Sequence, residues 1–326
     1  MIFTPKNILV TGGAGFIGAN FIHYWQTHYP HALIVNLDLL TYAGALQNLE
    51  HLPHPTQHIF VQGDILNQTL LEQLLKQYAI DTIVHFAAES HVDNSIKDPA
   101  IFVKTNVLGT QILLEAARKA QCRFHHISTD EVYGSLGPHA PPFTETTQYA
   151  PNSPYSASKA GSDHLVRAYH HTFGLAVTTS NCSNNFGPFQ HQEKFIPTVI
   201  RSCLQNQSIP VYGDGSNIRD WLYVTDHCKA IDLILHKGKI GEVYNVGGNN
   251  EWSNLDIVKL ICKLFDQLNP QKTSHHALIR FVQDRPGHDW RYAINAQKIV
   301  HHLGWRPTLQ FANHLSSLIQ TALSMP

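Results

Sequence analysis

Hydrophobic and polar positions follow two periods along the first 180 residues. Short, nearly continuous apolar runs at 7–10, 33–37, 59–62, 82–86, 124–127 and 175–180 read as buried strands. Between them, apolar residues recur every three or four positions, which predicts helices to about His28 and over about 69–78, 99–120 and 153–172. Val103, Val107, Ile112 and Leu113 mark the packed face of the third of these helices, which Pro99 begins. Ser153 caps the fourth, with Pro154 in its first turn. Strand and helix alternating this regularly predict an α/β fold, a Rossmann-type doubly wound parallel sheet. Residues 41–52 and 135–154 read as loops, the second rich in Pro, Thr and Gly and lying over the ends of the strands.

From Asn181 the texture changes. A polar loop, 181–188, leads into shorter elements: a helix near 196–206, strands near 209–212 and 219–224, and a helix from Thr225 to about His236. Asn254 opens another helix, and 284–289 is a turn between strand-like runs. The expected division is a larger domain over 1–180 and a smaller C-terminal lobe over 181–326, some of whose segments can return to the first domain. Pockets usually form between such lobes.

Composition narrows the function classes. The chain has 326 residues, is 43% hydrophobic and 14% charged, and so can bury a large core. A formal charge of −1 gives no footprint for nucleic acid or a membrane surface. The five cysteines are widely spaced and form no CxxC, which fits reduced thiols and a cytoplasmic setting. There are 23 histidines, many in adjacent pairs such as His125-His126 and His275-His276. No spacing matches a metal pattern, so no metal is expected and the histidines are read as surface residues.

Three motifs carry chemistry. The first strand runs into Thr11-Gly12-Gly13-Ala14-Gly15-Phe16-Ile17-Gly18 and a helix. Gly12 permits a tight turn, Gly15 lets backbone approach a pyrophosphate, and Gly18 lets helix pack close to strand. Free amides at the helix start would hold phosphates. Asp38, ending the second strand, would bond a ribose 2′-hydroxyl and repel a 2′-phosphate, which favours NAD over NADP. Asp64 would contact an adenine amino group or cap the next helix, and small residues Ala87 and Ala88 would let a flat cofactor lie against backbone.

The second motif is Ser128-Thr129-Asp130-Glu131 at a strand end, and the third is Tyr155-x-x-x-Lys159 on the following helix. Tyr155 and Lys159 are one turn apart and share a face. A free phenol is a poor base near neutral pH, but an ammonium nearby favours the phenolate. Tyr155 could then take a proton from a sugar hydroxyl, with Thr129 bonded to the same oxygen, while the carbon gives hydride to NAD. A simple dehydrogenase needs neither Asp130 nor Glu131. Beside a new ketone, one carboxyl can remove the adjacent C–H proton and the other can protonate a leaving hydroxyl, eliminating water. In the lobe, Lys194, Arg219 and Arg285, with Asn181, Asn254 and His288, could hold the pyrophosphate and sugar of a nucleotide-sugar.

These segments resemble the extended short-chain dehydrogenase/reductases, and within them the dTDP-glucose 4,6-dehydratases of deoxysugar (rhamnose-type) biosynthesis. The match includes TGGAGFIG at 11–18, STDEVYG at 128–134, YSASKAGSDHLVRAY at 155–169, NCSNNFGP at 181–188 and DRPGHDWRYAI at 284–294. Related epimerases are similar but carry small or hydroxyl residues where Asp130 and Glu131 stand. The resemblance implies an NAD-dependent hydro-lyase: Tyr155, Lys159 and Thr129 oxidise C4, Glu131 takes the C5 proton, Asp130 protonates the C6 hydroxyl, and hydride returns to C6. NAD would stay bound, held by the glycine loop with Phe16 and Ile17, by Asp38, Thr41, Asp64, Ile65, Phe86, Ala87, Ala88, Ser90, Thr105 and Asn181, and by Tyr155 and Lys159. Ser90, Thr129, Asn181, Asn184, Glu193, Lys194, Arg219, Asn254, Asp284, Arg285 and His288 would hold the substrate. A homodimer through the helices near 99–120 and 155–172 is also implied. Ala45, Asn94 and His191-Gln192 depart from the family's usual Asn, Arg and Phe-Pro; they bear on substrate detail and leave the catalytic set intact. The residues leave thymidine and uridine nucleotides both open. The remaining alternatives are a nucleotide-sugar 4-epimerase or decarboxylase, and a catalytically silent NAD-binding regulator.

Overall fold

Ile8, Leu9 and Val10 are all fully buried although successive side chains of a strand point to opposite faces, so this strand must be covered on both sides. It is the middle of the architecture. The computed structural model describes residues 3–284 and 287–324. The first half contains β1 (Asn7–Thr11), α1 (Phe16–His28), β2 (Leu33–Asp38), β3 (His58–Gln62), α2 (Gln68–Gln77), β4 (Thr82–His85), α3 (Val92–Lys97), α4 (Pro99–Phe102), α5 (Thr110–Ala120), β5 (Arg123–Thr129), α6 (Pro154–Phe173) and β6 (Val177–Cys182). The second half contains β7 (Asn184–Phe186), α7 (Phe195–Leu204), β8 (Ile209–Tyr212), β9 (Ile218–Tyr223), α8 (Val224–Lys237), β10 (Val243–Val246), β11 (Glu251–Ser253), α9 (Asn254–Leu268), β12 (Ile279–Val282), α10 (Gln297–Leu303) and α11 (Phe311–Ser324).

The main sheet has the order β10-β6-β5-β4-β1-β2-β3, and every neighbouring pair is parallel. On one face, Leu71, Leu74, Leu113, Leu114 and Val166 of α2, α5 and α6 cover Leu9, Val35, Ile83 and Phe124. On the other, Phe21, Ile22, Trp25, Ile231 and Leu235 of α1 and α8 cover Ile8, Val10, Ile34 and Val84. Strand order reverses between β1 and β4, so a crevice must open above their carboxyl ends.

The second half builds a three-stranded sheet, β11-β9-β7, and a parallel pair, β12-β8. Both surround a core of Phe186, Val199, Trp221, Ile261, Phe265 and Phe311. The seventh strand of the main sheet, β10, comes from this half and pairs with β6, and α8 packs on α1 beneath the same sheet.

Four features differ from the sequence reading. The helix expected over 99–120 is interrupted: Val103–Gly109 is π-helical between α4 and α5, and Val103, expected on the packed face, is exposed because the wider turn rotates it off the sheet side. Strand β6 runs to Cys182, past the apolar stretch, and β7 follows inside what reads as a polar loop. Asn67, not Asp64, caps α2, its side chain accepting from the Leu70 amide. The histidines are not confined to the surface: His85, His125, His126, His227 and His275 are buried. His125 and His126 can sit inside because strand geometry sends them to opposite faces, where hydroxyls meet them: Thr178 Oγ1 lies 2.9 Å from His125 Nδ1 and Ser162 Oγ lies 3.2 Å from His126 Nε2.

Candidate active site

Backbone approach at the switch point is close enough to demand glycine. Gly12 has φ +72°, and a Cβ there would lie 2.6 Å from the Ala87 amide nitrogen at the end of β4. A Cβ on Gly18 would lie 2.3 Å from the Gly12 carbonyl oxygen, so α1 packs directly on the turn. Gly15 sits just before α1, which has no side-chain cap, leaving its first amides for a ligand. Asp38, buried at the end of β2, accepts from the amides of Ala14 (2.9 Å) and Leu40 (2.8 Å) and so ties the glycine turn to the second strand. Its two oxygens retain lone pairs for a further donor.

A cavity of about 380 Å³ lies along these strand ends. Gly12, Gly15, Phe16, Ile17, Gly18, Asp38 and Thr41 line one end of it. Asp64 and Ile65 follow from β3, and Phe86, Ala87, Ala88 and Ser90 from β4. Thr129, Glu131, Tyr155 and Lys159 line the other end, with Thr105, Asn184 and Lys194 at the sides. These residues come from loops and elements far apart in sequence, and one cavity joins them. A cleft with a glycine cradle at a helix start and a buried strand-end carboxylate fits a dinucleotide.

Other expected residues lie elsewhere. Asn181 is fully buried in β6, donating to Tyr133 (2.9 Å) and Tyr149 (3.2 Å) hydroxyls, and takes no part in the cavity lining. Arg219, buried in β9, donates to the carbonyls of Ile218 and Asp289 and stacks over Tyr292; it orders backbone rather than lining the cavity. Asn254 opens α9, and its amide donates to the Asn217 carbonyl. Asp284 and His288 pair at 2.6 Å beside β8 and β12. Glu193 lies 3.7 Å from His191 and 3.9 Å from His91 at the cavity's rim. Arg285 lies outside the described residues.

The reading of the sequence did not single out Asn106 or Cys182, and it took His191 only as a residue bearing on substrate detail. Asn106 is buried in the π-helical stretch; its amide accepts from the Glu89 amide and donates to the Glu89 carbonyl and Ser158, fixing the loop after β4. Cys182 and His191 line the cavity. Cys182 reaches it because β6 extends two residues beyond the run that marks it, a continuation that its polar sequence hides. A π-turn often marks a functional site, but pattern alone does not distinguish it from α-helix.

The electrostatics separate the two carboxyls. Thr129 ends β5, and its hydroxyl accepts from the Glu131 amide, starting a short 3₁₀ turn over Asp130–Tyr133. That turn places Asp130 inside and Glu131 on the cavity wall. Burial, then the charges of Glu131 and Asp220, hold the Asp130 carboxyl well above the ordinary carboxylate range, which favours its protonated form. Burial, then Glu131, likewise hold the Tyr155 phenol well above its usual value, while a hydrogen bond to Thr129 opposes them. Lys159 donates to the Ile127 carbonyl at 2.8 Å, and burial pulls its ammonium down to about 8. Glu131, Tyr155 and Lys159 therefore line one cavity, and the Asp130 carboxyl is buried next to Glu131 outside that lining.

The family model described as GDP-mannose 4,6 dehydratase matches residues 9–318. A dTDP-glucose 4,6-dehydratase from Xanthomonas campestris pv. campestris is 52% identical over 97% of this chain and 93% of its own. The crystal structure of DesIV, a dTDP-glucose 4,6-dehydratase from Streptomyces venezuelae solved with NAD, superposes with a TM-score of 0.90 at 44% identity, covering 97% of this chain and 96% of that one. A UDP-glucose 4-epimerase from Thermotoga maritima shares the fold at a TM-score of 0.87 but only 25% identity, over 98% and 99% of the two chains.

Proposed function

The chain belongs to the GDP-mannose 4,6 dehydratase family, and on that footing we propose that it is an NAD-dependent hydro-lyase converting dTDP-glucose to dTDP-4-keto-6-deoxyglucose and water. The observation that carries the reading is the split between Asp130, buried with its carboxyl held well above the usual range, and Glu131, on the cavity wall with Tyr155. An epimerase has no use for that pair.

The glycine turn, Asp38, Asp64 and the small residues after β4 are the groups that would hold the cofactor. Bound there, NAD supplies the acceptor and later the donor of a hydride. Tyr155 takes the proton of the C4 hydroxyl, with Thr129 fixing that oxygen. The Lys159 ammonium opposes the burial that otherwise keeps the phenol protonated. Ketone formation acidifies C5–H, and Glu131 removes that proton. Asp130 gives its proton to the C6 hydroxyl, which leaves as water. Glu131 then returns its proton to C5 as the C6 methyl forms. Lys194, which donates to the Ser90 carbonyl at the cavity's side, supplies positive charge for the pyrophosphate.

The same reading places the protein in the cytoplasm, supported by five buried free cysteines; among the described residues no helix is long and apolar enough to cross a membrane. It also makes the enzyme a homodimer. Ile96, Val103, Leu108 and Phe173 are large, apolar and exposed on α3, on the π-helical stretch and at the end of α6, where a second copy would cover them. We take 1–180 as the cofactor domain and 181–326 as the nucleotide-sugar lobe, with α8 and β10 returned to the first.

Two variants test the division of labour. Glu131→Gln should still oxidise C4, leaving reduced nicotinamide absorbance and a 4-keto-glucose on the enzyme, with water loss slowed by about 100-fold or more. Tyr155→Phe should lose both steps. Water loss at the wild-type rate in Glu131→Gln would remove Glu131 from the role of base.

A further inference from the structure

Behind the cavity lies a buried polar cluster that the steps above do not use. Asp163 follows Lys159 by one turn of α6, so the two share a face. Both are buried, as is His126 of β5. His126 Nε2 lies 3.4 Å from Lys159 Nζ and 3.2 Å from Asp163 Oδ1. The other Asp163 oxygen accepts from Ser128 Oγ and Tyr149 Oη, each at 2.9 Å. Two hydroxyl donors on one oxygen favour the charged carboxylate.

A buried ammonium is costly without an opposite charge. The Ile127 carbonyl gives Lys159 only a dipole. His126 cannot be the partner: burial and Lys159 itself hold the imidazole neutral. His85, whose ring lies 5.4 Å from His126, is held neutral by burial too. The other titratable groups facing the pair are Cys182 of β6, whose thiol burial keeps protonated, Tyr149 of the 135–154 loop, and His164 on α6.

We propose that Asp163 is the buried counter-charge of Lys159: a positioning residue that, across neutral His126, keeps the ammonium charged and seated at the end of β5 where it supports the Tyr155 phenolate. The proposal rests on the dehydratase reading for its catalytic consequence. Its electrostatics agree. Burial lifts Asp163 to about 6 and pulls Lys159 down to about 8, each opposed by the other's charge. In that window the pair is ionised. Without Asp163 the Lys159 ammonium loses its support and gives up its proton at lower pH.

Asp163→Asn keeps the shape and one acceptor oxygen. Two readouts apply: the pH profile of C4 oxidation in single turnover of dTDP-glucose, and the titration of Lys159 followed by NMR of ¹³Cε-lysine, assigned by its absence in Lys159→Met. The alkaline limb of the profile and the Lys159 titration should both move to lower pH by about one unit, so the rate near pH 8 falls about fivefold and recovers on mild acidification. In a Lys159→Met background the same change should add nothing. Tyr149→Phe, which removes one donor to the carboxylate, should move both readouts the same way by less, and serves if Asp163→Asn does not fold. Unmoved titration and profile in a folded variant, or an effect that persists without Lys159, would overturn the proposal. Wild-type protein inert toward dTDP-glucose would instead defeat the function reading, and the NMR titration would still decide this one.

Discussion

Gly12→Ala tests whether close approach of β1 and β4 builds the cofactor cradle. The structure charges the substitution twice. Its φ of +72° is left-handed, which costs an L-residue about 1–2 kcal/mol. The new methyl would also meet Ala87 N at 2.6 Å, Ala87 Cα at 2.7 Å and the Phe86 carbonyl carbon at 3.0 Å. All three are backbone atoms that cannot rotate aside, so the ladder from Ile8–Thr11 to Thr82–His85 must spread. Overpacking of this kind adds about 1–3 kcal/mol. The sum, about 2–5 kcal/mol, corresponds to a melting temperature lower by about 3–7 °C for a chain of this size. Two other glycines separate the terms. Gly304, at the end of α10, has φ +73° and open space, so Gly304→Ala should show only the conformational part. Gly137 has open space and no left-handed φ, so Gly137→Ala should melt within about 1 °C of wild type or slightly above it. Thermal melts of the three, alongside the NAD retained on purification, give the comparison. Were Gly12→Ala to melt with Gly304→Ala and keep its NAD, the clash would not exist and the cradle would be wrongly drawn.

Other consequences follow from burial and capping. Burial draws His125 and His227 down to about 3, so unfolding lets each bind a proton below its unfolded value of about 6.5; stability should fall as pH drops through that value, by about 2 kcal/mol per ring near pH 5. Urea melts across that range should show a shallower acid slope in His227→Gln, and an unchanged slope would refute the assignment. Ser153→Ala removes the capping box that starts α6, where the Ser153 and Ser156 side chains each bond the other's amide, and should cost about 1 kcal/mol in denaturant melts. No loss there would mean that tertiary packing alone starts this helix. Leu108→Glu places a charge in the proposed dimer face; sedimentation should show a shift toward monomer, and an unchanged mass would move the interface elsewhere.

The parts of the fold that sequence reveals are those where one physical requirement dominates. Six strands of the sheet announce themselves because burial on both faces makes apolar runs, and the glycine turn because backbone must approach backbone. The seventh strand, β10, stays hidden: only Val243–Val246 marks it, and Asn245 in its middle is polar because it bonds Tyr133. The buried histidines mislead for a related reason. A ring matched by Thr178 or Ser162 costs little inside, but the match joins distant segments. Asp130 and Glu131 are adjacent in sequence and could not be told apart electrically; the 3₁₀ turn that Thr129 starts sends one inside and the other to the wall. Arg219 and Asn181 look like ligand-binding residues because each is polar beside a loop. Both also bond groups of distant segments, Arg219 the Asp289 carbonyl and Asn181 the Tyr133 and Tyr149 hydroxyls.

The central claim is tested most directly by incubating the purified protein with dTDP-glucose, without added NAD, and following the nucleotide-sugar by mass. The account predicts loss of one water, no net NADH in solution, and a 4-keto-6-deoxy product, with UDP-glucose run beside it to fix the base preference. Unchanged mass with inverted C4 would make the protein an epimerase. No change with either sugar, even after NAD is supplied, would contradict the reading of Thr129, Asp130 and Glu131 on which the account stands.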